Sequence, residues 1–203
     1  MMMWISVLAG QRIKSSFPKE DPRRKYVDCV RMLLEAGADP NAFSGVVSER
    51  SSMTALHFAS HFFEFDIVRL LLDARAEINA RALPGGETPL FFAILGSPVA
   101  NRQHQLETVK LLLSRGASAN ICSNERVLPI HAAVIADAED VLRLFLSMPD
   151  SNVDARGIGG MTPLMLASAE DNVNIARILL EAGADVSLTD DNGHTAEYLS
   201  KRV

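Results

Sequence analysis

Hydrophobic positions along this chain come in paired blocks separated by polar, glycine-containing stretches. The cleanest pair is Gly160-Met161-Thr162-Pro163-Leu164-Met165-Leu166-Ala167, followed by Asn174-Ile175-Ala176-Arg177-Ile178-Leu179-Leu180-Glu181-Ala182-Gly183-Ala184-Asp185. The first block predicts a short helix. Thr162 can cap it through its hydroxyl, and Pro163 suits the first helical position, where a missing N–H costs nothing. The second block predicts another helix, with Ile175, Ile178 and Leu179 on one apolar stripe and Gly183 supplying the left-handed residue that ends it.

The same pair recurs upstream. Thr54-Ala55-Leu56-His57-Phe58-Ala59 precedes Ile67-Val68-Arg69-Leu70-Leu71-Leu72, and Thr88-Pro89-Leu90-Phe91-Phe92-Ala93 precedes Thr108-Val109-Lys110-Leu111-Leu112-Leu113. A fourth copy is Leu128-Pro129-Ile130-His131-Ala132-Ala133 with Val141-Leu142-Arg143-Leu144-Phe145-Leu146. The anchor positions 54, 88, 128, 162 and 195 are 34, 40, 34 and 33 residues apart. A period of about 33 residues with this motif is the signature of one repeat class.

On these residues the chain resembles the ankyrin-repeat family, over about Arg23 to Val203. The resemblance implies an all-α repeat solenoid: stacked helix-turn-helix units, a β-hairpin finger at each junction, and a concave face that holds another macromolecule. It does not imply an enzyme or a cofactor. The expected organisation is a degenerate N-terminal cap and loop over 1–22, then an array over 23–203. Its repeats span about 23–52, 53–86, 87–126, 127–160 and 161–193, with a closing half-repeat at 194–203.

Composition narrows the function classes. A formal charge of −5 argues against a sequence-independent grip on nucleic acid, which takes clustered Lys and Arg. Two cysteines, Cys29 and Cys122, are too few for a disulfide framework and suit a reducing compartment. No apolar run approaches the roughly 18 residues of a membrane span. A cytoplasmic monomer that binds protein rather than membrane or nucleic acid is the expectation, with the nucleus left open as a location. The opening Met1-Met2-Met3-Trp4-Ile5 lacks the positive charges of a secretory leader. It reads as a degenerate inner helix of the first repeat, or as a start within a longer protein.

Departures from the repeat carry the remaining expectations. Residues 11–25, with Pro18, Pro22 and adjacent charges, predict a loop, and Tyr26 to Ala36 the outer helix of repeat one, with Val30, Leu33 and Leu34 facing the core and Cys29 as a small buried side chain. The first finger is long: Gly37 to Thr54 is 17 positions, against 12 from Gly183 to Thr195. The excess lies around Phe43, Val46, Val47 and Arg50, so apolar side chains are expected at its tip or folded back over repeat one. In repeat two, Arg75 stands where other repeats have Gly37, Gly116 and Gly183, and Phe62 and Phe65 are expected to be partly exposed. Gly96 to His104 reads as an inserted loop. Repeat four has Leu128 for the capping threonine and Pro149 in place of a glycine stop.

The resemblance also assigns roles to single residues. His57 and His131 are implied to hydrogen-bond within and between neighbouring turns. Partner contact is expected from the fingers at Phe43, Val46, Val47, Arg50, Arg81, Leu83, Asn124, Arg126, Arg156 and Ile158. From the inner-helix ends it is expected at His61, Phe62, Ile135, Asp137 and Glu170. Asparaginyl hydroxylases modify ankyrin fingers at an Asn after an acidic-aliphatic pair with Leu eight residues before; Asn79, after Glu77-Ile78 and with Leu71, fits, although the same Asn also braces the finger. No catalytic residue, metal ligand set or phosphate loop emerges: His61, His104 and His194 share no zinc-like spacing with the cysteines. The function implied is a non-catalytic scaffold or adaptor. The alternative is the targeting arm of a larger enzyme or ubiquitin-ligase adaptor.

Overall fold

In a computed structural model, residues 22–44, 52–96 and 102–200 are described; Val46, Val47, Arg50 and the expected N-terminal cap before Pro22 lie outside them. The described residues fall into two compact units, divided between Ala117 and Ser118. Unit one holds α1 (Pro22–Glu35), the two-residue strands β1 (Phe43–Ser44) and β2 (Met53–Thr54), α2 (Ala55–His61), α3 (Phe65–Asp73), α4 (Pro89–Leu95) and α5 (Arg102–Ser114). Unit two holds α6 (Pro129–Ile135), α7 (Glu139–Leu146), α8 (Pro163–Ala169), α9 (Val173–Glu181) and α10 (Ala196–Ser200). The all-α repeat class expected from the sequence is the one observed.

Inner and outer helices alternate. In unit one the inner helices α2 and α4 pack together, as do the outer helices α1 with α3 and α3 with α5. Unit two repeats the scheme with α6, α8 and α10 inside and α7 on α9 outside. The four inner helices α2, α4, α6 and α8 are seven residues each. Helices that short are marginal alone, so their stability comes from neighbours. Leu56, Ile67, Leu71, Leu90, Ile94 and Leu112 in unit one, and Leu142, Met165, Ile175 and Leu179 in unit two, are fully buried. Each such side chain contributes roughly 1.5–3 kcal/mol.

The start and stop signals act through backbone geometry. Thr54, Thr88, Leu128 and Thr162 all have extended φ/ψ immediately before their helices, so Leu128 keeps the backbone of a cap without its hydroxyl. Thr162 Oγ1 accepts the Met165 N–H at 3.3 Å, whereas the buried Thr88 hydroxyl has no partner. At the outer-helix ends, Gly37, Arg75, Gly116 and Gly183 have φ of 87°, 66°, 95° and 87°. Each of these stops donates its N–H to a leucine carbonyl three residues back, and the following N–H reaches the carbonyl five residues back, as Ala76 does to Leu71. Repeat four cannot do this. Pro149 stands at the stop with no N–H and a φ fixed negative, and α7 ends instead in tightened turns through Ser147 and Met148.

Three local expectations are corrected. Residues 22–25 are helical, because Pro22 opens α1 rather than breaking it. Arg102, Gln103 and His104 belong to α5, whose start is extended, rather than to the expected inserted loop; residues 97–101 lie outside the described ones. Cys29 is half-exposed rather than buried, and Leu34 is likewise only half-buried.

Candidate partner-binding surface

Four fingers begin with a side chain that turns the backbone. Asp39 accepts the N–H of Asn41, Ser118 that of Asn120, Asn152 that of Asp154 and Asp185 that of Ser187, at 2.8–3.2 Å. Neighbouring fingers are then tied. In unit one, Asn41 Oδ1 accepts the Glu77 N–H at 2.6 Å, and in unit two Asp154 Oδ1 accepts the equivalent Asp185 N–H at 3.0 Å. Strand β1 pairs antiparallel with β2, and Ser52 exchanges two backbone hydrogen bonds with Leu83 in the next finger, at 3.1 and 2.9 Å. Asn79 occupies the position equivalent to Asn41 and Asp154 and is half-buried.

Beneath the fingers, the motif histidines join inner helices to finger backbone. His57 Nε2 lies 3.1 Å from the Ala80 carbonyl and 3.2 Å from that of Glu87, so this nitrogen carries the proton. His57 Nδ1 then accepts the Thr54 N–H at 3.1 Å and lies 2.8 Å from the Thr54 hydroxyl. Burial, which disfavours the imidazolium, lowers the His57 pKa to about 4. His131 faces the equivalent carbonyls, Met161 at 3.1 Å and Ala155, and burial lowers its pKa too. Its Nδ1 is buried with no partner, and Leu128, unlike Thr54, offers it no hydroxyl. A Cβ at Gly157 would stand 2.9 Å from His131 Nε2, so glycine is what lets that ring sit.

On the surface these elements carry, the expected contact residues separate into two kinds. In unit one Phe43, Phe62 and Leu83 are exposed, Leu83 by 58%, and Arg81 is exposed beside it. His61 is half-buried, edge-on to Phe62 at 4.9 Å and to Phe92 at 6.2 Å, and desolvation lowers its pKa. Sequence reasoning missed Phe92 and Leu95, which continue this aromatic and apolar strip on α4; their place on the outward face of a seven-residue inner helix was the available signal. In unit two Asn124, Arg126, Ile135, Ile158 and Glu170 are exposed. Arg156 and Asp137 also serve the fold: Arg156 donates to the Thr189 carbonyl at 2.6 Å, and Asp137, at φ 49°, accepts from Asn172 at 2.8 Å. Among the described residues no cluster of His, Cys, Asp and Glu could hold a metal, and no helix is long and apolar enough to cross a membrane.

Known proteins share this architecture. The family profile described as ankyrin repeats (3 copies) matches residues 23–102 and 98–190. The chain is 35% identical over 162 residues to an ankyrin repeat protein of Fowlpox virus, covering 78% of this chain and 45% of that one. It is 37% identical over 138 residues to neurogenic locus notch homolog protein 2 of Homo sapiens, 68% of this chain and 5% of the relative. A palmitoyltransferase of Danio rerio matches at 28% over 84% of this chain and 30% of its own length. The chain thus spans less than half the length of these curated relatives. Ankyrin repeats are generally non-catalytic protein-interaction modules. With motif, helix order and family profile in agreement, this chain belongs to the ankyrin-repeat family.

Proposed function

We propose that this chain is a non-catalytic scaffold or adaptor that binds a protein partner through its fingers and inner-helix ends. The observation that carries this reading is the exposure of Phe62 and Leu83 on braced backbone in unit one, together with the half-buried rings of His61 and Phe92. Aromatic and apolar side chains held rigid lose little entropy on binding, and such anchors carry most interface energy. The exposed Ile135 and Ile158 of unit two extend the candidate contact set.

Affinity capture from the native cell tests the reading. Phe62→Asp with Leu83→Asp is expected to reduce recovered partner at least tenfold, while Met32→Asp on the exposed side of α1 leaves it unchanged. Equal recovery by all three chains would overturn the assignment of this surface. A second reading, the targeting arm of a larger enzyme, draws support from the match to part of a palmitoyltransferase. A cytoplasmic setting fits both readings.

A further inference from the structure

Three fingers of unit two share a four-residue turn, at 123–126, 157–160 and 190–193. In each, the fourth N–H donates to the first carbonyl, at 3.0, 3.2 and 3.1 Å, and the fourth residue is left-handed, with φ of 62° at Arg126, 71° at Gly160 and 82° at Gly193. The third residue differs. Glu125 and Gly159 hold that place in the first two turns, whereas the last has Asn192, and Asn192-Gly193 is the one Asn-Gly pair in the sequence. Asn192 is exposed.

The side-chain amide of an asparagine is placed so that attack by the next backbone nitrogen closes a five-membered ring, and a following glycine leaves that approach unobstructed and the backbone free to turn into it. In the closed turn the nitrogen is occupied. Gly193 N–H donates to the Asp190 carbonyl, and Asp190 Oδ1 holds the turn from within by accepting the N–H of Asn192 at 2.9 Å and that of His194 at 2.8 Å. Its carboxylate is the brace. In the equivalent place Ser123 accepts the Val127 N–H at 3.2 Å, and Gly157 has no side chain with which to do so.

We infer that Asn192 is a site of spontaneous deamidation, paced by opening of the turn that Asp190 braces. When the turn opens, Gly193 N attacks Asn192 Cγ: the N–Cγ bond forms, the Cγ–Nδ2 bond breaks, and the Gly193 proton departs with the amide nitrogen as ammonia. Water then adds to either carbonyl of the cyclic imide and breaks one of its bonds to the Gly193 nitrogen. Rupture at Cγ gives aspartate at 192, and rupture at the main-chain carbonyl gives isoaspartate, whose backbone is one carbon longer. Water is the sole co-reactant. Either product adds a negative charge beside Asp190 and Asp191, and the longer backbone displaces the Gly193 N–H from its acceptor. The change reaches the neighbouring finger, because the Asp191 N–H donates to the Gly159 carbonyl at 2.9 Å and Arg156 donates to that of Thr189. The chemistry itself does not depend on what the fingers bind.

The full chain is incubated at neutral pH, and mass spectrometry of the proteolytic peptide 178–201 follows conversion of amide to acid, with enzymatic methylation counting isoaspartate. A free peptide of residues 186–198 sets the unbraced rate. The chain is expected to convert at least about tenfold more slowly than that peptide, and Asp190→Ala, checked for retained helix by circular dichroism, about tenfold faster than the unaltered chain. Hydrogen exchange supplies a second measure that needs no variant: the chain's rate should equal the peptide's rate multiplied by the open fraction of the Gly193 N–H. An Asn192 still intact after the time that this fraction predicts overturns the site. Equal rates in the chain and in folded Asp190→Ala, or conversion faster than the open fraction allows, overturn the brace.

Discussion

Repeats two and four use the same design with different losses. Repeat two keeps the Thr54 hydroxyl, and His57 bonds through both ring nitrogens, but its stop is Arg75 in a left-handed conformation. Repeat four has lost both devices. Leu128 offers His131 Nδ1 no hydroxyl, and that nitrogen is buried without a partner; Pro149 removes the stop's N–H. The extended backbone before the helix survives in both, so the fold tolerates loss of the side-chain bonds as long as the backbone path is kept. What differs is the free energy held at each junction.

The largest test of that difference is removal of the rings. His57→Leu leaves the Ala80 carbonyl and the Thr54 N–H without their partner and the Glu87 carbonyl with the Ala82 N–H alone, and is expected to cost about 3 kcal/mol in urea unfolding. His131→Leu should cost about 1 kcal/mol less, because it also removes a nitrogen that is already unsatisfied. Equal costs would mean the Thr54 contacts contribute nothing.

Acid is the next lever. The folded His57 pKa is lowered to about 4 from 6.5, so the unfolded chain takes up the proton first. Its contribution is complete above pH 6.5 and is lost as pH falls toward 4, on the order of 3 kcal/mol from this residue. His131, lowered for the same cause, loses stability in the same direction. The slope of unfolding free energy against pH between 7 and 4 should flatten in His57→Leu; an unchanged slope would place the proton uptake elsewhere.

Two smaller changes repair each repeat, one from repeat two's threonine and one from the glycine stops of the other repeats. Leu128→Thr returns a hydroxyl to His131 Nδ1 and is expected to stabilise by about 1 kcal/mol. Arg75→Gly removes a side chain from a left-handed position and should gain up to about 1 kcal/mol. A Cβ at the equivalent Gly37, Gly116 and Gly183 would meet nothing within 4 Å, so the gain at Arg75 comes from backbone conformation alone. A thermal midpoint that does not rise in either variant breaks the corresponding half of the comparison.

Much of this was legible because period and punctuation act locally. The threonine starts and the glycine stops suit the φ/ψ of their positions, so the sequence states the path directly, and Arg75 stands out because it follows that path without being glycine. Pro22 was misread because proline both breaks a helix from within and begins one at its first position, and only the following helical turn distinguishes the two. Arg102 to His104 were misread for a related reason: a polar helix start looks like a loop when its apolar stripe begins at Leu106. Of the left-handed residues between inner and outer helices, Asp137 and Asp171 are of a type that tolerates that conformation, but Phe63 is not, so composition gave no signal for it. The surface residues fared similarly. Exposure of Leu83 and Ile158 follows from their place in a finger, but the bond from Arg156 to Thr189 depends on how one finger lies against the next.

Phe63 holds a φ of 55°, and its buried ring fills the space into which a Cβ at Gly96 would project. The two positions are 33 residues apart in sequence yet share one volume. As this gene drifts, neither codon is at liberty by itself: a larger residue at 96 becomes admissible only after the phenyl group at 63 has shrunk, and the order of those two events is set by geometry rather than chance.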